Sequence, residues 1–137
     1  MEIFPKSMLS SSGGELGLDV IKAKLNYFEL QVHEYHWQTH ELGEHLALGD
    51  LYENLFSVKD EIVEKIMGYT GVRTKAMPTA PVKDYFMGAG EQICNEIILF
   101  AKQLESFGDM NNMPDIENIA QSLSGDTAKI KYRLTLS

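Results

Sequence analysis

Apolar residues recur three and four apart along four separate stretches of this 137-residue chain, and no stretch alternates at period two for long enough to make a strand. A period of 3.6 places the apolar side chains of each stretch on one helical face, which must then be covered. The first stripe is Ile21, Leu25, Phe28, Val32 and Tyr35, with Asp19 at its start, where a carboxylate caps free N–H groups. It predicts a helix from about 19 to about 36. Gly43 breaks the pattern. A second helix then follows to about 69, carrying Leu48, Leu51, Leu55, Val58, Ile62 and Ile66 and closed by Gly71. The stretch GVRTKAMPTAPVKD has two prolines and no period, so it reads as a loop. A third helix covers about 88 to 107 with Ile93, Ile97, Ala101 and Leu104 inward. A fourth starts near Asp115, just after Pro114, and turns Ile116, Ile119, Leu123 and Ile130 to the core.

Four amphipathic helices around one core make an all-α fold, a four-helix bundle over residues 18–137. The longest connection lies between helices two and three and suits a crossover rather than a tight hairpin. Residues 1–17, MEIFPKSMLSSSGGELG, read as a flexible Ser/Gly-rich tail. They lack the basic end and apolar run of a secretory signal. No run of about eighteen apolar residues is present to span a membrane. The single cysteine, Cys94, cannot form a disulfide framework within the chain. It suits a reducing, cytoplasmic compartment and reads as a small buried hydrophobe. The net charge of −8 argues against nucleic acid as a partner, because phosphate contacts need clustered Lys and Arg. Carboxylates do collect hard cations.

All four histidines fall in HEYHWQTHELGEH, as His33, His36, His40 and His45, together with the only tryptophan, Trp37. At 100° per residue, Glu29, His33 and His36 lie within about 60° of one another at the edge of the apolar stripe. One carboxylate and two imidazoles can therefore converge, although an ordinary polar edge would look the same. On the second helix, Asp60 and Glu64 stand one turn apart and point away from the core of their own chain. Phe56, Val63 and Met67 extend the apolar arc up to this acidic pair. A solvent-facing stripe has no reason for such flanks, whereas an interface with a second chain does. The chain thus carries two half-sites, imidazoles at the end of helix one and carboxylates on the outer face of helix two. No histidine has Glu three residues before it, so a di-iron site inside one bundle is not expected. There is no HExxH, GxSxG or P-loop either.

An HW pair at the end of the first long helix, a second histidine at the start of the next, then Asp and Glu one turn apart, resemble the Dps-like mini-ferritins of the ferritin-like superfamily (DNA-binding protein from starved cells). The spacing from His45 to Asp60 and Glu64 matches the family's without a gap, and Trp37 matches the aromatic after the first histidine. The resemblance covers most of the chain after the tail, with specific motifs only between His36 and Glu64. It implies a ferritin-like subunit in a hollow homo-oligomer, a dodecamer built from two-fold dimers. It also implies a ferroxidase centre shared between chains, with metal ligands His36 and His45 from one and Asp60 and Glu64 from the other. The implied activity is Fe(II) oxidation by peroxide or oxygen, with storage of the ferric iron; zinc or manganese are possible substitutes. The loop between His36 and His45 is shorter than the family's, and Gly49 stands where an aspartate is frequent. The tail has one lysine, Lys6, so DNA binding is not carried over. A ferritin-like bundle that has lost this chemistry and serves as a protein-interaction module is the alternative. A zinc-dependent bundle hydrolase is a third reading, and the clustering of all four imidazoles in one segment counts against it.

Overall fold

The computed structural model describes residues 16–136. The expected tail lies almost wholly outside the described residues. Four helices make up the fold: α1 (Leu18–Gln38), α2 (Leu42–Thr70), α3 (Ala89–Met110) and α4 (Pro114–Arg133). Among the described residues there is no strand. Each helix follows its predicted stripe. Gly43, expected to interrupt the pattern, lies inside the first turn of α2. The N–H groups of a first turn have no intrahelical acceptors to lose, so a poor helix former is tolerated there.

α1 pairs with α2 and α3 with α4, and α2–α4 and α1–α3 contacts join the two pairs. Ile21, Leu25, Leu48, Leu51, Leu55, Ile62, Ile93, Ile97 and Leu104 are fully buried. Each contributes about 1.5–3 kcal/mol relative to an exposed side chain. Val58 and Ile119 pack at the margin of this core. The Phe28 and Phe100 rings, 5.5 Å apart and tilted, link α1 to α3. Cys94 is buried on α3, as its apolar setting predicts.

The segment 71–88 carries no helix, and side chains of α1 hold it. Asp19 was expected to cap α1. It instead accepts hydrogen bonds from the Thr74 hydroxyl at 2.9 Å and the Lys75 N–H at 2.8 Å, and it makes no cap bond. Those donors, the Lys75 N–H foremost, hold its carboxyl below the ordinary pKa. Midway, the buried Gln31 amide accepts from Lys83 N–H at 2.7 Å and donates to Lys83 carbonyl at 2.9 Å. At the far end, Gln38 accepts from Tyr85 N–H at 2.6 Å and donates to Asp84 at 3.0 Å. The segment therefore follows α1 from its first turn to its last. Its extended backbone finds partners in side-chain amides rather than in a neighbouring strand.

Candidate metal site at the α1–α2 turn

His36 lies in the last turn of α1 and His45 in the first turn of α2, joined by the three residues 39–41. His36 Nδ1 donates to the His45 carbonyl at 2.6 Å, and His45 Nδ1 donates to the His36 carbonyl at 2.8 Å. A carbonyl only accepts, so each Nδ1 must carry its hydrogen. When neutral, each ring is left with its Nε2 lone pair free. Metal-binding histidines are commonly prepared this way, with one ring nitrogen fixed on a carbonyl and the other presented to the ion.

The two rings stack with centroids 3.9 Å apart and planes 16° from parallel. An imidazole binds an ion in its own plane at about 2.1 Å. Two nearly parallel planes at this separation cannot share one ion in that way. The stack offers one nitrogen to each of two ions, or two to one ion after a ring turns. Two-metal centres hold their ions about 3.5–4 Å apart, close to the stacking distance. Gly49 makes the arrangement possible. A Cβ there would stand 3.0 Å from His36 Cε1 and 3.2 Å from His36 Nδ1. The place a side chain at 49 would fill is taken by the His36 ring.

His33 lies against Tyr52 and Trp37, each 3.8 Å away by centroid, and is 5.9 Å from His36. Burial, and then the neighbouring His36, press its pKa below the ordinary value and favour the neutral ring. The predicted convergence of Glu29, His33 and His36 does not occur. Glu29 is buried and bonded to Lys59 of α2, which also donates to Asn26 at 3.0 Å. His40 is exposed in the turn. Glu44 accepts from the Thr39 and Tyr85 hydroxyls, both at 2.5 Å, and ties the turn to segment 71–88.

Asp60 and Glu64 are exposed on α2. They follow His45 by fifteen and nineteen residues, about 22 and 28 Å along a helix axis. One chain therefore brings His36 and His45 together but not the acidic pair to them. Among the described residues, no three His, Cys, Asp or Glu side chains of one chain gather to hold a metal ion. Large apolar side chains are exposed on both helices, Leu30 at 54% and Trp37 at 61% on α1 and Phe56 at 58% on α2. Val63 and Met67 are half-buried. Sequence reasoning named Phe56, Val63 and Met67 but missed Tyr52 and Lys59. Tyr52 sits two turns beyond His45 on the same helix, and that spacing could have found it.

A family model described as "Family of unknown function (DUF5856)" matches residues 36–134, most of the chain, so the chain belongs to that family. The matched span contains all four candidate ligands. No curated protein and no solved structure matches. Among the described residues, no helix is long and apolar enough to cross a membrane.

Proposed function

We propose that this member of the DUF5856 family is a Dps-like, ferritin-like protein that binds Fe(II) between two chains. It oxidises the iron with peroxide or oxygen and stores the ferric product inside a hollow homo-oligomer. The observation that carries this reading is the His36–His45 pair, with both Nδ1 atoms fixed on carbonyls and both Nε2 atoms left to bind. Farther along α2, the exposed Asp60 and Glu64 follow the exposed Phe56 by four and eight residues. Two copies of this face packed about a two-fold axis perpendicular to the helices run antiparallel, and the imidazole end of each then meets the acidic end of the other. Nitrogen and carboxylate ligands with open positions suit Fe(II), and zinc or manganese could occupy the same set. Glu64 serves as the bridging or bidentate carboxylate and Asp60 as a ligand or its hydrogen-bonded support. The path of segment 71–88 along the whole of α1 supports a ferritin-like topology, in which this segment is the crossover that sets α3 parallel to α2.

The test is the rise of ferric absorbance when peroxide is added to anaerobically Fe(II)-loaded protein. Wild type should be much faster than buffer and Glu64→Ala should not. Wild type no faster than buffer would remove the ferroxidase reading. A second reading keeps the fold and drops the chemistry: the exposed Leu30, Trp37 and Phe56 would then serve to dock another protein. Its support is that position 49 supplies no carboxylate.

A further inference from the structure

We infer that Glu44 is a positioning residue: its carboxylate clasps the α1–α2 turn, the segment 71–88 and the start of α3 together, and so holds the His36 and His45 rings in place for metal. Its use to the protein rests on the metal reading of that pair; the clasp itself does not. Glu44 is the third residue of α2. A carboxylate at that position commonly reaches back to the cap of its own helix. Here the cap residue, Glu41, makes no side-chain cap bond. Thr39 takes its place. Its hydroxyl accepts from Glu41 N–H at 3.3 Å and donates to Glu44 Oε1 at 2.5 Å. Thr39 also ends α1, with its own N–H on the Tyr35 carbonyl. One hydroxyl thus fixes the exit of α1 to the entry of α2.

Two further contacts come from distant parts of the chain. The Tyr85 hydroxyl donates to the same Oε1 at 2.5 Å. Burial, and then this bond, raise the Tyr85 pKa, so the hydroxyl keeps the proton it donates. The other oxygen, Oε2, lies against Gly90, buried on α3. A Cβ there would stand only 2.8 Å from it and would displace Glu44 from its partners. Hydrogen bonds to a carboxylate are short and about twice as strong as neutral ones. His45 follows Glu44 directly, and its Nδ1 and carbonyl make the crossed bonds with His36. The Glu44–Thr39 bond is nested inside them along the chain. A turn already held at 39 and 44 leaves little chain freedom for the outer pair to lose, so the crossed bonds form at lower entropic cost.

The test is hydrogen–deuterium exchange at the imidazole Cε1–H, read histidine by histidine by mass spectrometry on the full, metal-free chain. It reports how freely each ring meets solvent. Glu44→Ala should speed exchange at both His36 and His45 about tenfold, the worth of one hydrogen bond to a charged group. His33, which the clasp does not touch, should keep its wild-type rate; a fold loosened as a whole would speed it equally. Glu44→Gln, whose amide oxygen still accepts from both hydroxyls, should stay near wild type. Gly90→Ala should speed both rings too, although alanine favours the α3 helix. Exchange at His36 and His45 unchanged in Glu44→Ala, or matched by His33, would overturn the proposal, and so would equal acceleration by Glu44→Gln. Titration with Co(II), read by visible absorption, separates the clasp from the metal reading. Glu44→Ala should bind Co(II) about tenfold more weakly, as losses of a ligand's support do. A wild type that binds no Co(II), while Glu44→Ala still frees both rings, would overturn the metal reading and keep Glu44 as the residue that places the pair.

Discussion

Gly49 and the His36 ring occupy one space: a Cβ at 49 would stand 3.0 Å from His36 Cε1. Glycine in a helix interior costs about 0.5–1 kcal/mol relative to alanine. In the wild type that gain is offset by displacement of the ring and of its Nδ1 bond, which is worth about 1 kcal/mol. Gly49→Ala should therefore be neutral or destabilising in the wild type and stabilising by about 1 kcal/mol in a His36→Ala background. Urea unfolding of the four proteins measures this. Equal effects in both backgrounds would show that ring and backbone do not compete.

Lys59 and Glu29 form the most deeply set ion pair among the described residues, with side-chain exposures of 25% and 11%. Lys59→Met leaves the buried Glu29 carboxylate without its ion-pair partner, and should destabilise by about 2–4 kcal/mol. Adding Glu29→Met should recover most of that loss, because the uncompensated charge goes with it. The urea midpoints of the single and double variants decide the matter. A double variant no better than the single would mean that the pair's packing, not its charge, is what counts.

The helix stripes were legible because burial follows period. Ile21, Leu25, Leu48, Leu55, Ile97 and Leu104 needed only a helical projection to be placed in the core. Legibility stopped where a polar side chain on one element meets backbone on another. Gln31 and Gln38 look like ordinary surface glutamines in sequence, yet they hold segment 71–88. Glu29 shares a helical face with His33, but Lys59, thirty residues away, sets its partner. At the candidate site, the closeness of His36 and His45 follows from a short turn between two helices. Their crossed carbonyl bonds do not, since those depend on how α1 enters α2 and on the missing side chain at 49.

Burial pushes the Cys94 thiol up to about 12. Burial, and then Glu96, push the Tyr35 hydroxyl up to about 12. Both groups hold their protons more tightly folded than unfolded. Their contribution is fully present below the ordinary values of 9.0 and 10.0 and is lost as pH rises towards 12. From neutral pH up to about pH 9 these two groups should therefore leave stability level. Above that it should fall by about 1.4 kcal/mol per pH unit for each group ionised only in the unfolded chain. Urea midpoints across this range test the slope. At neutral pH, Cys94 should react with a thiol reagent only after unfolding. Rapid labelling of the native protein would contradict its placement inside α3.

The sharing of one site by two chains can be tested without locating a metal. His36→Ala and Glu64→Ala should each abolish rapid Fe(II) oxidation, because each removes a ligand from every site, and even the loss of a ligand's support costs tenfold or more. Each variant should keep its helix content and a mass in solution well above one subunit. When the two inactive variants are unfolded together and refolded, random pairing makes about half of the two-fold dimers mixed. In a mixed dimer both defects fall in one site, and the other site has His36 and His45 from one chain and Asp60 and Glu64 from its partner, all intact. About a quarter of all sites, and about a quarter of wild-type activity, should therefore return. A site built within one chain would carry a defect in every copy, so the mixture would stay inactive. Full activity in Glu64→Ala alone would move the chemistry away from the acidic pair.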